Sequence, residues 1–242
     1  MQWFVATVAE TIVETARATT LRLGVPGWPG HRAGQHVDVR LTAEDGYQAQ
    51  RTYSIASPPG AHFLELTVVR IDDGEVSPYL TTDADVEDQF ELRGPVGGWF
   101  VWDGDDTTPV LLVGGGSGVV PLIAMMRCRH HARLASTTAM RLIYSARTLD
   151  DVIRRSELTT LADSAHRDVT VTLTRELSSQ WTEHRDRVDT RLLSEVGWPP
   201  RVRPRCYVCG PTPFVEDVSA ALVDLGHEAA MVKTERFGPT GE

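Results

Sequence analysis

Residues 51–57 read RTYSIAS, and residues 110–121 read VLLVGGGSGVVP. The first stretch puts a guanidinium, a phenol and a hydroxyl within four positions. The second runs an apolar segment into glycines. Both patterns suit anions. Gly114, Gly115, Gly116 and Gly118 let a backbone approach a pyrophosphate, and the helix that follows offers N–H groups and positive potential. Pro121 stands where the dinucleotide fingerprint has its third glycine, and the same run also serves as a tight strand-to-helix turn without a ligand. Arg51 has a counterpart in GEVSPYL (74–80), where Ser77 precedes Pro78 at a second predicted helix start. A diphosphate neutralised by Arg51 and held by the amides of Gly74, Glu75, Val76 and Ser77 satisfies both stretches.

A second anion is implied further on. Tyr144-Ser145-Ala146-Arg147 closes a predicted strand at the place where an NAD site commonly carries a carboxylate for the ribose 2′-hydroxyl. An arginine there suits a 2′-phosphate instead. Arg175 in TLTRE and Arg187 in RDRVD are expected at the same sheet edge. Each alone is an ordinary surface arginine; together they predict NADP, with NAD as the other possibility.

These groups need two scaffolds. Up to about residue 102 apolar and polar residues alternate in FVATVAETIV, TLRLGV, HVDVRLT, QRTYSIAS, FLELTVVRI and DQFELRG, separated by turn compositions such as PGWPG and SPPGA. That spacing predicts a six-stranded antiparallel Greek-key barrel over residues 1–104. After the polar linker DGDDTTP (103–109), strands VLLVG, MRLIYSA, DVTVTLT, RCYVCG and AAMVKTERF alternate with helical stretches. The helices are expected in VVPLIAMMRCRHHARL, DDVIRRSELTTLADSA, RLLSEVG and PFVEDVSAALVDLG. This alternation predicts a five-stranded parallel doubly wound sheet over residues 105–242.

Composition narrows the function. The formal net charge of −9 repels polyanions and argues against nucleic-acid binding. No apolar run reaches the ~18–20 residues that span a bilayer, and the first residues lack a basic leader. Three cysteines make no disulfide framework, so the reducing cytoplasm is expected. Cys206-x-x-Cys209 has no second ligand pair, and the histidines show no ligand spacing, so no metal site is expected. Cys206 reads as a buried strand residue. RCRHHAR (127–133) reads as a solvated helix face rather than a docking site for an acidic partner.

Arg51-x-Tyr53-Ser54, Gly74-Glu75-Val76-Ser77, GPVGGW (94–99), GGGSG (114–118) and CGPTPF (209–214) occur in that order. The sequence thereby resembles the ferredoxin–NADP reductase superfamily over essentially its whole length. The resemblance implies that the barrel binds FAD and the α/β domain binds NAD(P)H. It implies that Arg51, with Thr52 beside it, contacts the FAD diphosphate and that Tyr53 lies against the isoalloxazine. Ser54 would orient flavin N5, Gly116 and Gly118 would line the NADP diphosphate, and Cys209-Gly210-Pro211 would lie beside the nicotinamide. Glu235 would relay a proton, Phe237 would cover the flavin face, and His36 would pack near the flavin. ERFGPTG (235–241) is similar to reductases that continue into a plant-type iron–sulfur domain, for which this sequence has no cysteine spacing. The expected activity is a stand-alone FAD-containing NADPH reductase serving a separate acceptor such as ferredoxin, flavodoxin or an oxygenase component. The alternatives are a flavin or ferric reductase with a small-molecule acceptor and a non-catalytic nucleotide-binding electron-transfer subunit.

Overall fold

Alternation along an extended chain sends every second side chain to the same face. In residues 3–96 of the computed structural model, which describes residues 2–104, 107–131, 138–161, 168–176 and 181–237, this produces six strands. They are β1 (Trp3–Thr15), β2 (Ala18–Gly24), β3 (His36–Thr42), β4 (Gln48–Ser54), β5 (Leu64–Val69) and β6 (Gln89–Val96). All neighbours are antiparallel, in the order β4-β3-β6-β1-β2-β5. Val8, Leu21, Leu23, Val37, Val39, Leu66 and Leu92 fill the interior. The edges β4 and β5 meet only just past Ser54, through the Ile55–Leu66 bridge and an Ala56 N–H to Glu65 C=O bond of 2.8 Å. The expected barrel is therefore barrel-like but not closed.

One expected detail fails. Tyr79–Asp83 forms a single wide helical turn, but Ser77 does not cap it. The Ser77 Oγ instead accepts from the Ile71 N–H at 3.1 Å, and Val76 is buried in the barrel core. The loop folds back on itself, so its hydroxyl is consumed before the helix begins.

The second half alternates as expected: β7 (Val110–Gly115), α1 (Val119–His131), β8 (Met140–Ala146), α2 (Arg155–Leu161), β9 (Val169–Leu173), α3 (Thr190–Val196), β10 (Arg205–Pro211), α4 (Thr212–Asp224) and β11 (Val232–Phe237). The expected continuations of the first two helices, to 134 and 165, fall largely outside the described residues. The five strands are parallel, in the order β11-β10-β7-β8-β9. Leu112 and Leu142 pack with α1 and α2 on one face; Leu111 and Val113 pack with α3 and α4 on the other. With both faces covered, β7 is an unbroken buried apolar run. The strand order reverses between β7 and β10, and their carboxyl ends flank the crevice where such sheets take ligands.

The first part of α1, Val119–Met126, is apolar on every side because it is buried twice. It packs on the sheet and on Ala33, Phe100 and Trp102 of the first domain. A polar pin adds direction to that contact. On β5, Leu64, Leu66 and Val68 face the barrel core, which turns Glu65 and Thr67 toward the second domain. The Glu65 carboxylate accepts from Arg127 at 2.6 Å and Arg154 at 2.8 Å, and Glu157 accepts from the same two arginines at 2.7 and 3.0 Å. Arg127 is therefore not on a solvated helix face. It is half-buried between the domains, and Arg129 pairs with Asp168 at 3.0 Å; residues 132–133 of that basic run lie outside the described residues.

Burial alone would push the Glu65 carboxyl up, but Arg127 and then Arg154 outweigh it and pull it from 4.5 to about 2. A carboxylate depressed in the folded state contributes stability above its unfolded value and loses it as pH falls. Glu65→Gln is expected to cost about 3–5 kcal/mol at neutral pH, because it leaves buried guanidiniums undercompensated. In urea unfolding, the gap between wild type and variant should narrow as pH falls from 4.5 toward about 2. A gap that stays constant over that range contradicts the assignment.

Candidate functional site

Between the barrel seam and the sheet crevice lies a cavity of about 1020 Å³. Tyr53 and Ser54 from the end of β4 line one side, with Gly97, Gly98 and Trp99 from the loop after β6. Ser117 and Val120 from the β7–α1 turn, Pro211 and Thr212 from β10–α4, and Glu235 and Phe237 from β11 line the other. Residues more than 180 positions apart in sequence thus share one cleft.

Its chemistry centres on two groups. The Ser54 Oγ is buried and has no hydrogen-bond partner among the described residues. Such a hydroxyl costs about 1–3 kcal/mol, so it belongs where a ligand completes it. Burial pushes the Glu235 carboxyl up to about 7, and the nearby Ser54 hydroxyl lowers it slightly without reaching hydrogen-bond geometry. Glu235 can therefore exchange a proton near neutral pH. His36 also lines the cleft, and burial lowers its pKa; burial raises that of the Tyr53 phenol.

The expected anion cradle is only partly assembled. Arg51 reaches the 74–77 loop by pairing with the Glu75 carboxylate at 2.8 Å, and Tyr47 donates to the same group. Both partners of the Arg51–Glu75 pair are solvated, so an incoming anion displaces little. The Thr52 hydroxyl donates to Asp38 at 2.7 Å. The Gly74 N–H already donates to the Ile71 carbonyl at 2.9 Å, and the Val76 and Ser77 side chains are buried. The loop's side chains, Glu75 apart, are therefore structural, and the Gly74 amide is removed from the cradle.

In the second domain the glycines divide their work. Gly116 has φ +55°, and a Cβ there would meet nothing, so its backbone is open. Gly118 is buried, and a Cβ there would collide with the Cys209 carbonyl. It lets the turns after β7 and β10 touch, with Gly115 and Gly210 buried at the same junction. Ser145 is level with Gly115 on one side and Thr172 on the other. The Arg175 N–H donates to the Arg147 carbonyl at 2.7 Å, which fixes both arginines at the carboxyl edge of β8 and β9. Residues 184–186 run parallel to β9 through the Thr172–His184 bridge and a Leu173 N–H to His184 C=O bond of 3.0 Å. That segment carries Arg187 to the same edge. All three arginines are exposed.

Cys209 is fully buried, in register with Glu235 across β10 and β11. Burial, and then the Glu235 charge, hold its thiol well above its ordinary pKa, so it acts by position rather than as a thiolate. Cys206 packs on the α3–α4 side and Cys209 on the α1 side. Three residues apart on one strand, they point to opposite faces and cannot share a ligand. Phe237 is half-buried at the end of β11 beside the cleft, and residues 238–241 of the expected tail lie outside the described residues. Trp99 closes the GPVGGW motif but was given no role from sequence; it is 63% exposed at the cleft rim with the Lys233 Nζ 5.3 Å from its ring. An aromatic directly after two glycines was the available signal.

Residues 6–101 match the family described as oxidoreductase FAD-binding domain, and residues 112–220 the oxidoreductase NAD-binding domain. The NADH oxidoreductase HCR of Escherichia coli (strain K12) is 32% identical over 232 residues, covering 95% of this chain and 66% of that protein. The glycine betaine monooxygenase reductase subunit of Chromohalobacter salexigens is 30% identical over 214 residues, covering 86% and 56%. The chain spans about half the length of the curated relatives it matches first. The FAD/NAD-binding domain of nitric oxide dioxygenase from Vibrio cholerae shares the fold at TM-score 0.85 and 24% identity, covering 98% of this chain and 99% of that one. An FAD-binding and an NAD-binding domain, in this order and facing one cleft, make the chain a member of the ferredoxin reductase-like family of oxidoreductases.

Proposed function

We propose that this chain is an FAD-dependent NAD(P)H reductase that passes electrons to a separate acceptor protein, with NADPH as its preferred donor. The observation that carries the reading is the unpartnered, buried Ser54 hydroxyl beside Glu235 in a cleft walled by both domains. FAD, when bound, takes a hydride from a reduced nicotinamide and gives up its electrons singly, which is the chemistry that joins the two domains. Ser54, Tyr53 and Phe237 in the cleft would hold the ring, and Arg51 would neutralise the diphosphate. Glu235 would take up or return a proton at its carboxyl oxygen. Relatives named as a monooxygenase reductase subunit and as the electron transfer component of a dioxygenase support an acceptor on another chain.

The donor reading rests on Arg147, Arg175 and Arg187 at one sheet edge. Converging guanidiniums suit a 2′-phosphate, which carries close to two negative charges. The relative named as an NADH oxidoreductase favours NADH as the second reading.

Purified protein loaded with FAD should be yellow and should bleach anaerobically on mixing with NADPH. Arg51→Ala should weaken FAD binding about tenfold or more, the scale of one charge-assisted contact. Protein that takes up no FAD, or that keeps it without bleaching for either coenzyme, contradicts the reading; stoichiometric FAD in Arg51→Ala after dialysis removes Arg51 from it.

For the donor, kcat/KM should favour NADPH over NADH by about tenfold to a hundredfold, or ~1.4 kcal/mol per decade. Arg147→Ala, Arg175→Ala and Arg187→Ala should each reduce that ratio, and added salt should too, since the edge is exposed. Equal values in the wild type, or a ratio none of the three changes, assigns the donor as NADH or leaves it unselected.

A further inference from the structure

The barrel side of the cleft is built from two segments that are distant in sequence. Ser54 ends β4, while Gly97, Gly98 and Trp99 follow β6. One buried side chain joins them. The Gln35 Nε2 donates to the Gly97 carbonyl at 2.7 Å, and its Oε1 accepts from the Arg32 N–H at 2.7 Å. The Gln35 backbone carbonyl accepts from the Ile55 N–H at 3.0 Å, directly after Ser54. Its neighbours close the same seam: the Trp102 N–H donates to the Ala33 carbonyl at 3.0 Å, and Gly34 lies against the Phe100 carbonyl.

The geometry points to Gln35 as the positioning residue that holds the Gly97–Trp99 loop in place relative to the end of β4, and hence sets how the flavin ring seats against both segments. This rests on the reading of the cleft as the FAD site. The amide is suited to the task because it needs one donor and one acceptor at once, with the side chain only 9% exposed. No sequence motif for the diphosphate or the coenzyme uses it. It touches neither the arginine anchor nor the arginine edge, so it should act on ring placement and leave nucleotide affinity alone.

Gln35→Glu separates these effects. The carboxylate keeps the acceptor for Arg32 but opposes the Gly97 carbonyl, whereas the protonated acid donates to Gly97 again. Burial raises the pKa of such a carboxyl, so the variant should be mostly ionised at about pH 8 and mostly protonated at about pH 5.5. His36, next to it on β3, the Arg32–Asp103 pair, Lys233 over Trp99, and Glu235 in the same cleft are the charged and titratable groups nearby, and Glu235, at about 7, changes charge within this pH window. Gln35→Met, which adds no charge beside them, reports their own titration and is the reference for the pH dependence of Gln35→Glu. At about pH 8, FAD-loaded Gln35→Glu should hold FAD within about threefold of wild type but show an altered visible circular dichroism of the flavin. Its bleaching by NADPH, or by NADH if that is the donor, should be about tenfold to a hundredfold slower, as small misplacements cost, with KM little changed. At about pH 5.5 both the spectrum and the rate ratio should return toward wild type. Gln35→Met, which fills similar space without either bond, should show the deficit at both pH values. The inference is overturned by a Glu variant that matches wild type at about pH 8, by a deficit that is the same at both pH values, or by one that simply tracks FAD loss. Should the Met variant fail to fold, the Glu variant against wild type at about pH 8 decides alone. Wild-type protein that takes up no FAD overturns the proposed function itself, a result distinct from FAD-loaded variants that behave as wild type.

Discussion

The buried Glu65 cluster is the constraint on which the rest of this structure depends. Apolar contact between α1 and the barrel is non-directional and would tolerate many docking angles. Glu65 removes that freedom by accepting from Arg127 on α1 and Arg154 ahead of α2. The same pin also ties together the two edges of the open sheet just past Ser54. Arg127 donates to the Ala56 carbonyl at 2.9 Å, and the Ala56 N–H donates to the Glu65 carbonyl at 2.8 Å. Ala56 is two residues past Ser54, so the joint that docks the domains also fixes the strand end carrying the candidate catalytic hydroxyl.

Everything asked of the cleft follows from that joint. Ser54 belongs to the barrel and Glu235 to β11 of the other domain, yet the hydroxyl is close enough to perturb the carboxyl. Neither residue is unusual alone. A serine on an edge strand would be solvated, and a glutamate on a sheet edge would titrate as an ordinary acid. Burial in a shared cleft leaves the first without a partner and brings the second to about 7. Cys209 is a third case: its burial and its register with Glu235 make it a spacer at the crevice rather than a reactive thiol.

The sequence announces some of this and conceals the rest, for physical reasons. Strand alternation and the glycine-rich turn are local, and they carried the two sheets; the switch point between β7 and β10 depends on strand order, which is not local. Arg147 and Arg175 were legible because strand ends in a parallel sheet share one edge. Arg187 reaches that edge by a different route, an added segment pairing beside β9. Glu65 was illegible: in LELTVV it occupies the position of a solvent-facing residue, and only the second domain makes that face buried. Arg127 looked like a helix surface charge for the same reason. Ser77 before Pro78 matches a helix cap, yet the loop's own fold gives that hydroxyl to Ile71.

The central claim is that two nucleotides occupy separate domains and meet in one cleft. Amide hydrogen exchange on the FAD-loaded protein, with and without oxidised coenzyme, tests it directly. FAD should protect the end of β4, the 74–77 loop and residues 97–100, and coenzyme should add protection at residues 114–118 and at the edge bearing Arg147 and Arg175. The two footprints should touch only at the cleft. A single shared footprint, or protection confined to one domain when both nucleotides are present, contradicts it.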